Sequence, residues 1–196
     1  PRLLIRYSDF LISHETGHQW WYNLVGSDEF KETFMDEGIN SYSLIRYLEE
    51  KYGKDATVLE LPKALRRIIP NFTFRRSGIE RYIYLAKSGL DRPILGELSS
   101  FKEPSSIFSL TYGKGQAVFA MLNSILGEDK FLKVMRRYFE DFKFKNARLE
   151  DFVKICEEES ASELNWFFDQ WLKTKGICDY SVKSVNKNAV VIERKG

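Results

Sequence analysis

The feature that most constrains this chain is the stretch His14-Glu15-Thr16-Gly17-His18. Residues four apart lie on the same face of an α-helix, so the two imidazoles can bind one metal ion. The chain has only two histidines, and both lie in this stretch. Two core histidines on an amphipathic helix are the alternative interpretation, but chance rarely gives this spacing with a glutamate after the first histidine. The pattern predicts a zinc site with Glu15 as the base that takes a proton from water.

The third metal ligand has to come from elsewhere in the chain. A catalytic zinc usually takes three protein ligands and keeps one position for water. No histidine remains and neither cysteine is close in sequence, so we expect a carboxylate. Glu37 is the best candidate, because eighteen residues separate it from His18 and leave room for a second helix to turn back. That helix has an inward face, on which a metal is a good partner for a carboxylate. The face consists of Phe34, Glu37, Ser41, Leu44 and Leu48.

Four further motifs follow the first histidine in order along the chain. They are His18-Gln19-Trp20 with Asn23-Leu24-Val25, Asp36-Glu37-Gly38 with Ser41-Tyr42, Tyr112-Gly113-Lys114-Gly115, and Phe167-Phe168-Asp169-Gln170-Trp171-Leu172. They are similar to H-Q-W-x-x-N-L-V, N-E-G-x-x-x-Y, Y-x-K-G and F-x-x-Q-W, with aspartate for the usual asparagine in the second. With H-E-x-x-H and the eighteen-residue spacing to a glutamate, the chain therefore resembles the gluzincin aminopeptidases, the aminopeptidase N family, from residue 14 to residue 172.

The resemblance implies a function and roles for particular residues. It implies a zinc metallopeptidase that removes N-terminal residues from peptides and binds one zinc through His14, His18 and Glu37. Glu15 would be the general base, and the phenol of Tyr112 would stabilise the oxyanion. Without the resemblance, Tyr112 would be interpreted as one of ten tyrosines, packed in a helix interface.

Three polar residues are candidates to orient the two histidines, as groups around metal ligands generally do. They are Asp36, Ser41 and Asn23.

The chain also departs from the family pattern. The family's G-x-M-E-N segment, whose glutamate holds the substrate amine, has no counterpart, and only thirteen residues precede His14. We therefore expect a fragment of the catalytic domain that is weakly active or inactive alone, with the remaining domains of the full-length protein as its partners. A non-catalytic scaffold module of the same family and a thermolysin-like zinc endopeptidase remain as alternatives. Retention of all five site residues argues against the first, and the eighteen-residue spacing with Y-x-K-G argues against the second.

Composition excludes several other classes. The chain has 196 residues, of which 43% are apolar and 15% aromatic, and this argues against disorder. A net charge of +2 points to no nucleic-acid partner, and no apolar run approaches the length of a membrane span. Two cysteines make no disulfide framework, so we expect Cys156 and Cys178 to be buried thiols.

Periodicity predicts a mainly α fold over residues 1–176, which the resemblance implies is the helical half of a thermolysin-like catalytic domain. Alternation predicts a short β-hairpin over 177–196, with strands at 180–185 and 189–193, and the resemblance implies that this hairpin begins a following β domain. The first helix should run to Val25, capped by Ser8 or Asp9, with one inward stripe. That stripe contains Leu11, His14, His18, Trp21, Tyr22 and Val25. Further helices are predicted over 33–52, 56–69, 105–126, 128–143, 148–160 and 162–174, with Gly176 as a stop. Residues 71–104 could hold short strands or a helix over 78–87.

Overall fold

The computed structural model describes residues 4–62, 64–101, 103–175 and 179–195, and most of them are helical. The α-helices are α1 (Ile5–Gly17), α2 (Phe34–Tyr52), α3 (Phe74–Lys87), α4 (Pro104–Ile107), α5 (Gly115–Leu126), α6 (Glu128–Phe142), α7 (Leu149–Ser160) and α8 (Asn165–Phe168). Two π-helical segments, Phe108–Lys114 and Asp169–Lys173, continue α4 and α8. Two-residue strands β1 (Val25–Gly26) and β2 (Lys145–Asn146) pair in parallel. Strands β3 (Tyr180–Asn186) and β4 (Ala189–Arg194) form an antiparallel hairpin.

Helix α1 is shorter than predicted, and its cap prediction was wrong. The helix begins at Ile5, so Ser8 and Asp9 lie inside it, and Asp9 instead accepts hydrogen bonds from Lys51 and Tyr52 of α2. It ends at Gly17, although His18 keeps a helical backbone and the four-residue spacing of the histidines survives.

The predicted stripe beyond His18 was also wrong. The chain turns back between Trp20 and Val25, where the amide of Val25 donates to the carbonyl of Trp20 at 3.0 Å. Val25 then pairs with β2 instead of continuing a helix. Leu11 and Tyr22 are both exposed, which removes them from the inward face. A turn closed by its own backbone bonds therefore replaces the last two turns of the predicted helix.

Helix α2 confirms its prediction to within one residue. It ends at Tyr52, and Gly53, which follows, has a φ of 90° that is accessible to glycine at little cost. The apolar members of the predicted inward face, Phe34, Leu44 and Leu48, are buried, and so is Ser41. The side chain of Glu37 is 15% exposed and sits on that same face.

The helix predicted over residues 56–69 was wrong, since the described part of that stretch contains only a 3₁₀ turn at Leu65–Arg67. Asn71 explains much of the difference. Its side chain accepts from the amide of Leu59 and donates to the carbonyl of Leu59 and to Thr57. These bonds satisfy the backbone without a helix, and Pro62 and Pro70 disfavour one.

For residues 71–104 the helical alternative is correct and the strand alternative is wrong. Helix α3 starts at Phe74, after Thr73 accepts a hydrogen bond from the amide of Arg76. The helices predicted at 105–126, 128–143, 148–160 and 162–174 are all present, although π-helical segments interrupt the first and last. The hairpin is confirmed within a residue at each strand end. Gly176 lies outside the described residues, and so does Cys178, whereas Cys156 is a buried thiol as predicted. The division into domains stays a prediction.

Glycine contacts bring the central helices close together. A Cβ on Gly38 of α2 would lie 3.1 Å from the Cα of Gly115 at the start of α5. A Cβ on Gly113 would lie 2.6 Å from the carbonyl oxygen of Gly78 in α3. No side chain fits between these backbones, so α2 and α3 both pack directly against the chain around Tyr112.

Lys114 ties three segments together beneath this contact. Its side chain is 1% exposed and its ammonium lies 3.6 Å from a carboxylate oxygen of Asp91. The ammonium also donates to the carbonyls of Thr174, at 3.2 Å, and Arg92, at 3.4 Å. Burial lowers the pKa of Lys114, and the neighbouring Asp91 opposes that effect. The lysine thereby fixes the end of the second π-helical segment against the loop that follows α3.

Candidate metal centre

The structure brings His14, His18 and Glu37 together. Nε2 of His14 lies 3.2 Å from Oε2 of Glu37, and Nε2 of His18 lies 3.4 Å from the same oxygen. The two Nε2 atoms are 3.2 Å apart. Three atoms that can each donate a lone pair therefore converge on one point, where the end of α1 meets the first turn of α2.

The separations between these atoms suit a tetrahedral zinc. Zinc bonds to imidazole nitrogen and carboxylate oxygen of about 2.0–2.1 Å place two tetrahedral ligands about 3.3 Å apart. Oε2 of Glu37 is buried and accepts no hydrogen bond within the described residues. A buried carboxylate oxygen in this condition needs a cation or a donor, so the set fits the metal that the sequence predicts.

Asn40 holds α1 against α2 behind His14. Its side-chain amide, which is almost fully buried, donates to the carbonyl of His14 at 2.8 Å and lies 3.4 Å from Nδ1 of the same residue. A Cβ on Gly17 would lie 1.9 Å from Oδ1 of Asn40. The glycine in the first motif therefore leaves the space that this asparagine fills.

His18 is oriented by the turn that follows α1. Its Nδ1 lies 3.0 Å from the carbonyl oxygen of Trp21, to which it can donate when Nδ1 carries the proton. That tautomer leaves the Nε2 lone pair free for a metal.

The three residues predicted to orient the histidines are not those that contact them. Among the described hydrogen bonds, none joins a side chain of Asp36, Ser41 or Asn23 to a histidine ring. Asn23 is exposed, and only its backbone amide reaches the carbonyl of His18. The contacts come instead from Asn40 and a backbone carbonyl. Asn40 could have been found as a polar residue on α2 that faces the helix carrying the motif, whereas a backbone carbonyl has no sequence signal.

The charges of the site favour a bound cation. Burial opposes ionisation of Glu37, but the polar contacts with His14, His18 and Tyr112 outweigh it and lower the pKa of Glu37 to about 2. The close contact with the Glu37 carboxylate raises the pKa of His18 to about 9. Burial, and then the charge of Glu37, raise the pKa of Asp36 to about 7. An ionised carboxylate thus holds positive charge beside it, and a metal ion would take the place of the imidazolium proton.

Tyr112 joins the cluster from the first π-helical segment. Its phenol donates a hydrogen bond to Oε1 of Glu37, and its ring centroid lies 5.4 Å from that of His14. Burial, and then Glu37, raise the pKa of Tyr112, so the phenol stays protonated and can donate. The family resemblance predicted this residue for the site, seventy-five positions after Glu37.

Glu15 lines a cavity of about 270 Å³ together with His14 and Tyr112. Its side chain is exposed and makes no hydrogen bond or ion pair to any described residue. Its carboxylate is therefore free to accept a proton from a molecule in this cavity.

Comparison with known proteins identifies the family. Residues 5–171 match the peptidase family M1 domain. The chain belongs to peptidase family M1. Aminopeptidase M1-D of Oryza sativa subsp. japonica is 30% identical over 173 residues, and glutamyl aminopeptidase of Homo sapiens is 26% identical over 177. The matches cover 88% and 90% of this chain, but it spans only 18% and 17% of those relatives.

Solved structures show the same fold. The M1 zinc metallopeptidase from Deinococcus radiodurans gives a TM-score of 0.61 at 16% identity, over 84% of this chain and 32% of that one. Aminopeptidase A of Legionella pneumophila, in complex with aspartic acid, gives 0.65 at 19% identity, over 95% of this chain and 19% of that one. These likenesses confirm the predicted fold class, the mainly α helical part of an M1 catalytic domain with a C-terminal hairpin. None of the described helices has the length and apolar character needed to cross a bilayer.

Proposed function

We propose that this chain forms the zinc-binding part of a metallopeptidase that removes N-terminal residues from peptides. His14, His18 and Glu37 would hold one zinc per chain. The observation that carries the proposal is the triangle of their ligand atoms, 3.2–3.4 Å on each side, with the Tyr112 phenol bonded to Glu37. Family M1 membership and the relatives named as aminopeptidases support the same conclusion.

Each residue of the candidate site has a separate role in the proposed reaction. Zinc, when bound, would polarise a peptide carbonyl and acidify water. Glu15 is free to accept the proton of the attacking water and to pass it to the leaving amine. The phenol of Tyr112 would donate to the carbonyl oxygen as that oxygen gains negative charge, which adds transition-state stabilisation. Asn40 and the Trp21 carbonyl would keep the imidazoles in place during the reaction.

The two alternatives from the sequence are less well supported. A scaffold module would not need Glu15, His14 and Tyr112 around one cavity. Sequence relatives named as aminopeptidases favour removal of terminal residues over endopeptidase activity. Since those relatives are about five times longer, we further propose that this chain acts on peptides together with the remaining domains of a full-length protein.

Metal analysis and kinetics test the proposal together. Protein purified without chelator should contain about one zinc per chain. His18→Ala should lose it, because two ligands hold zinc far less well than three. Glu15→Gln is the matched control: it should keep the zinc but lose hydrolysis of aminoacyl-anilides at full length, since an amide cannot accept the proton. Equal zinc content in wild type and His18→Ala would contradict the site, and normal turnover by Glu15→Gln would contradict the role of Glu15.

A further inference from the structure

The cavity lined by His14, Glu15 and Tyr112 has a second wall, which the proposed chemistry does not use. Helix α3 forms this wall and contributes Ser77, Gly78 and Arg81 to the lining. These positions lie three and four residues apart, so they share one face of the helix. The same cavity is lined by Glu15 and Tyr112. Arg81 is thus a cation that shares a cavity with the residues proposed to act on the substrate.

Arg81 differs from the other two arginines of α3, which each form an ion pair with a described residue. Arg75 forms an ion pair with Glu49, with a nitrogen–oxygen distance of 2.6 Å. Arg76 forms one with Glu80, also at 2.6 Å. Arg81 is exposed and makes no ion pair or hydrogen bond with any described residue. Its guanidinium is therefore available to a ligand in the cavity.

The wall that carries Arg81 is held firmly against the segment that carries Tyr112. The backbone of α3 meets Gly113 at Gly78, where no Cβ fits. The side chain of Gln116 is buried and donates to the carbonyl of Arg75 at 2.9 Å. Arg81 lies three residues after Gly78, so its Cα is fixed relative to Tyr112 and only its side chain is free to adjust.

We propose that Arg81 binds a carboxylate group of the peptide substrate. This assignment rests on the proposed function. Among the described side chains that line the cavity, Arg81 is the only lysine or arginine and Glu15 is the only carboxylate, so a substrate carboxylate would be attracted to the Arg81 side. A guanidinium offers a planar pair of donors that matches a carboxylate, and such charge-assisted bonds are stronger than neutral ones. The carboxylate belongs either to an acidic side chain or to the C-terminus of a short peptide.

Two matched substrate pairs separate these sources. With the full-length protein, kcat/KM would be measured for glutamyl- and glutaminyl-p-nitroanilide, and for Ala-Ala and Ala-Ala-amide. Within each pair only the carboxylate changes to an amide. Arg81→Ala should lower the acid-to-amide ratio of kcat/KM about tenfold in one pair, as expected for one charge-assisted bond at a partly exposed site. Arg81→Glu should lower that ratio further, and Arg81→Lys should retain part of it.

Arg76→Ala is the control, because Arg76 lies on the same helix, is exposed and does not line the cavity. A change in the first pair alone assigns Arg81 to an acidic side chain, and a change in the second alone assigns it to the terminal carboxylate. An unchanged ratio in both pairs, or an equal change in Arg76→Ala, overturns the assignment while leaving the peptidase intact. Absence of hydrolysis of every substrate by the wild type overturns the proposed function, and this assignment with it.

Discussion

The close contact between Gly17 and Asn40 predicts that Gly17→Ala destabilises the protein when Asn40 is present and stabilises it when Asn40 is replaced by alanine. A Cβ at position 17 would stand 1.9 Å from Oδ1 of Asn40, and real contacts of this kind do not fall below 3.0 Å. The amide of Asn40 must therefore move by about 1 Å or rotate. Either change breaks its 2.8 Å bond to the carbonyl of His14 and leaves a buried donor unpaired. Such a loss costs about 1–3 kcal/mol.

Helix propensity acts in the opposite direction. Replacing glycine by alanine in a helix stabilises by up to about 1 kcal/mol. Gly17→Ala should therefore lower the free energy of unfolding by about 0–2 kcal/mol in the wild type. In an Asn40→Ala variant the side-chain oxygen that meets the new Cβ is absent, so Gly17→Ala should raise the free energy of unfolding by up to about 1 kcal/mol. The coupling energy between the two positions should be about 1–3 kcal/mol.

Urea unfolding followed by far-UV circular dichroism measures all four proteins of this cycle. A chelator should be present throughout, because zinc bound to the native state would add its own binding energy to the stability. An alanine at position 17 that changes the unfolding free energy by the same sign and amount in both backgrounds would refute the reasoning. A separate zinc titration should show that Asn40→Ala weakens metal binding about tenfold or more, as for other groups that orient a ligating histidine.

Two further substitutions test other contacts. Tyr112→Phe should lower kcat of the full-length protein about a hundredfold while KM changes little, because the phenol stabilises the charge that develops on the carbonyl oxygen in the transition state. Steady-state kinetics with normal kcat would exclude Tyr112 from catalysis. Lys114→Met should lower the free energy of unfolding by about 3 kcal/mol, because it removes the cation beside the buried Asp91 carboxylate. An unchanged urea midpoint would show that the buried pair gives no net stability.

The sequence predicted best those elements in which periodicity and end signals agree. In α2 and α6 an inward face repeats at helical spacing, and a glycine marks the end of α2 and the start of α6. The proposed metal-binding set was predictable for a related reason. The two histidines are one turn apart at the end of α1, where His18 directly follows the last helical residue, and the length of the intervening chain limited where a third ligand could lie.

The wrong secondary-structure predictions arose from interactions that leave no trace in the hydrophobic periodicity of the sequence. Residues 56–69 contain enough apolar side chains for a helix, but Asn71 satisfies the backbone there in an irregular path. The turn after His18 depends on pairing with β2, more than a hundred residues away in sequence. The π-helical segments could not be predicted, since an extra residue within a turn leaves the overall hydrophobic pattern almost unchanged.

The first π-helical segment has an evolutionary consequence. Each residue in a helix turns the chain by about 100°, so the extra residue in Phe108–Lys114 sets the angle between the helix before it and α5. Deleting one residue there would favour a regular helix but would rotate its two ends against each other. The hydrogen bond of Tyr112 to Glu37 and the close backbone contact of Gly115 with Gly38 could not then both be kept. Natural selection should therefore tolerate substitutions in this segment more readily than any change in its length.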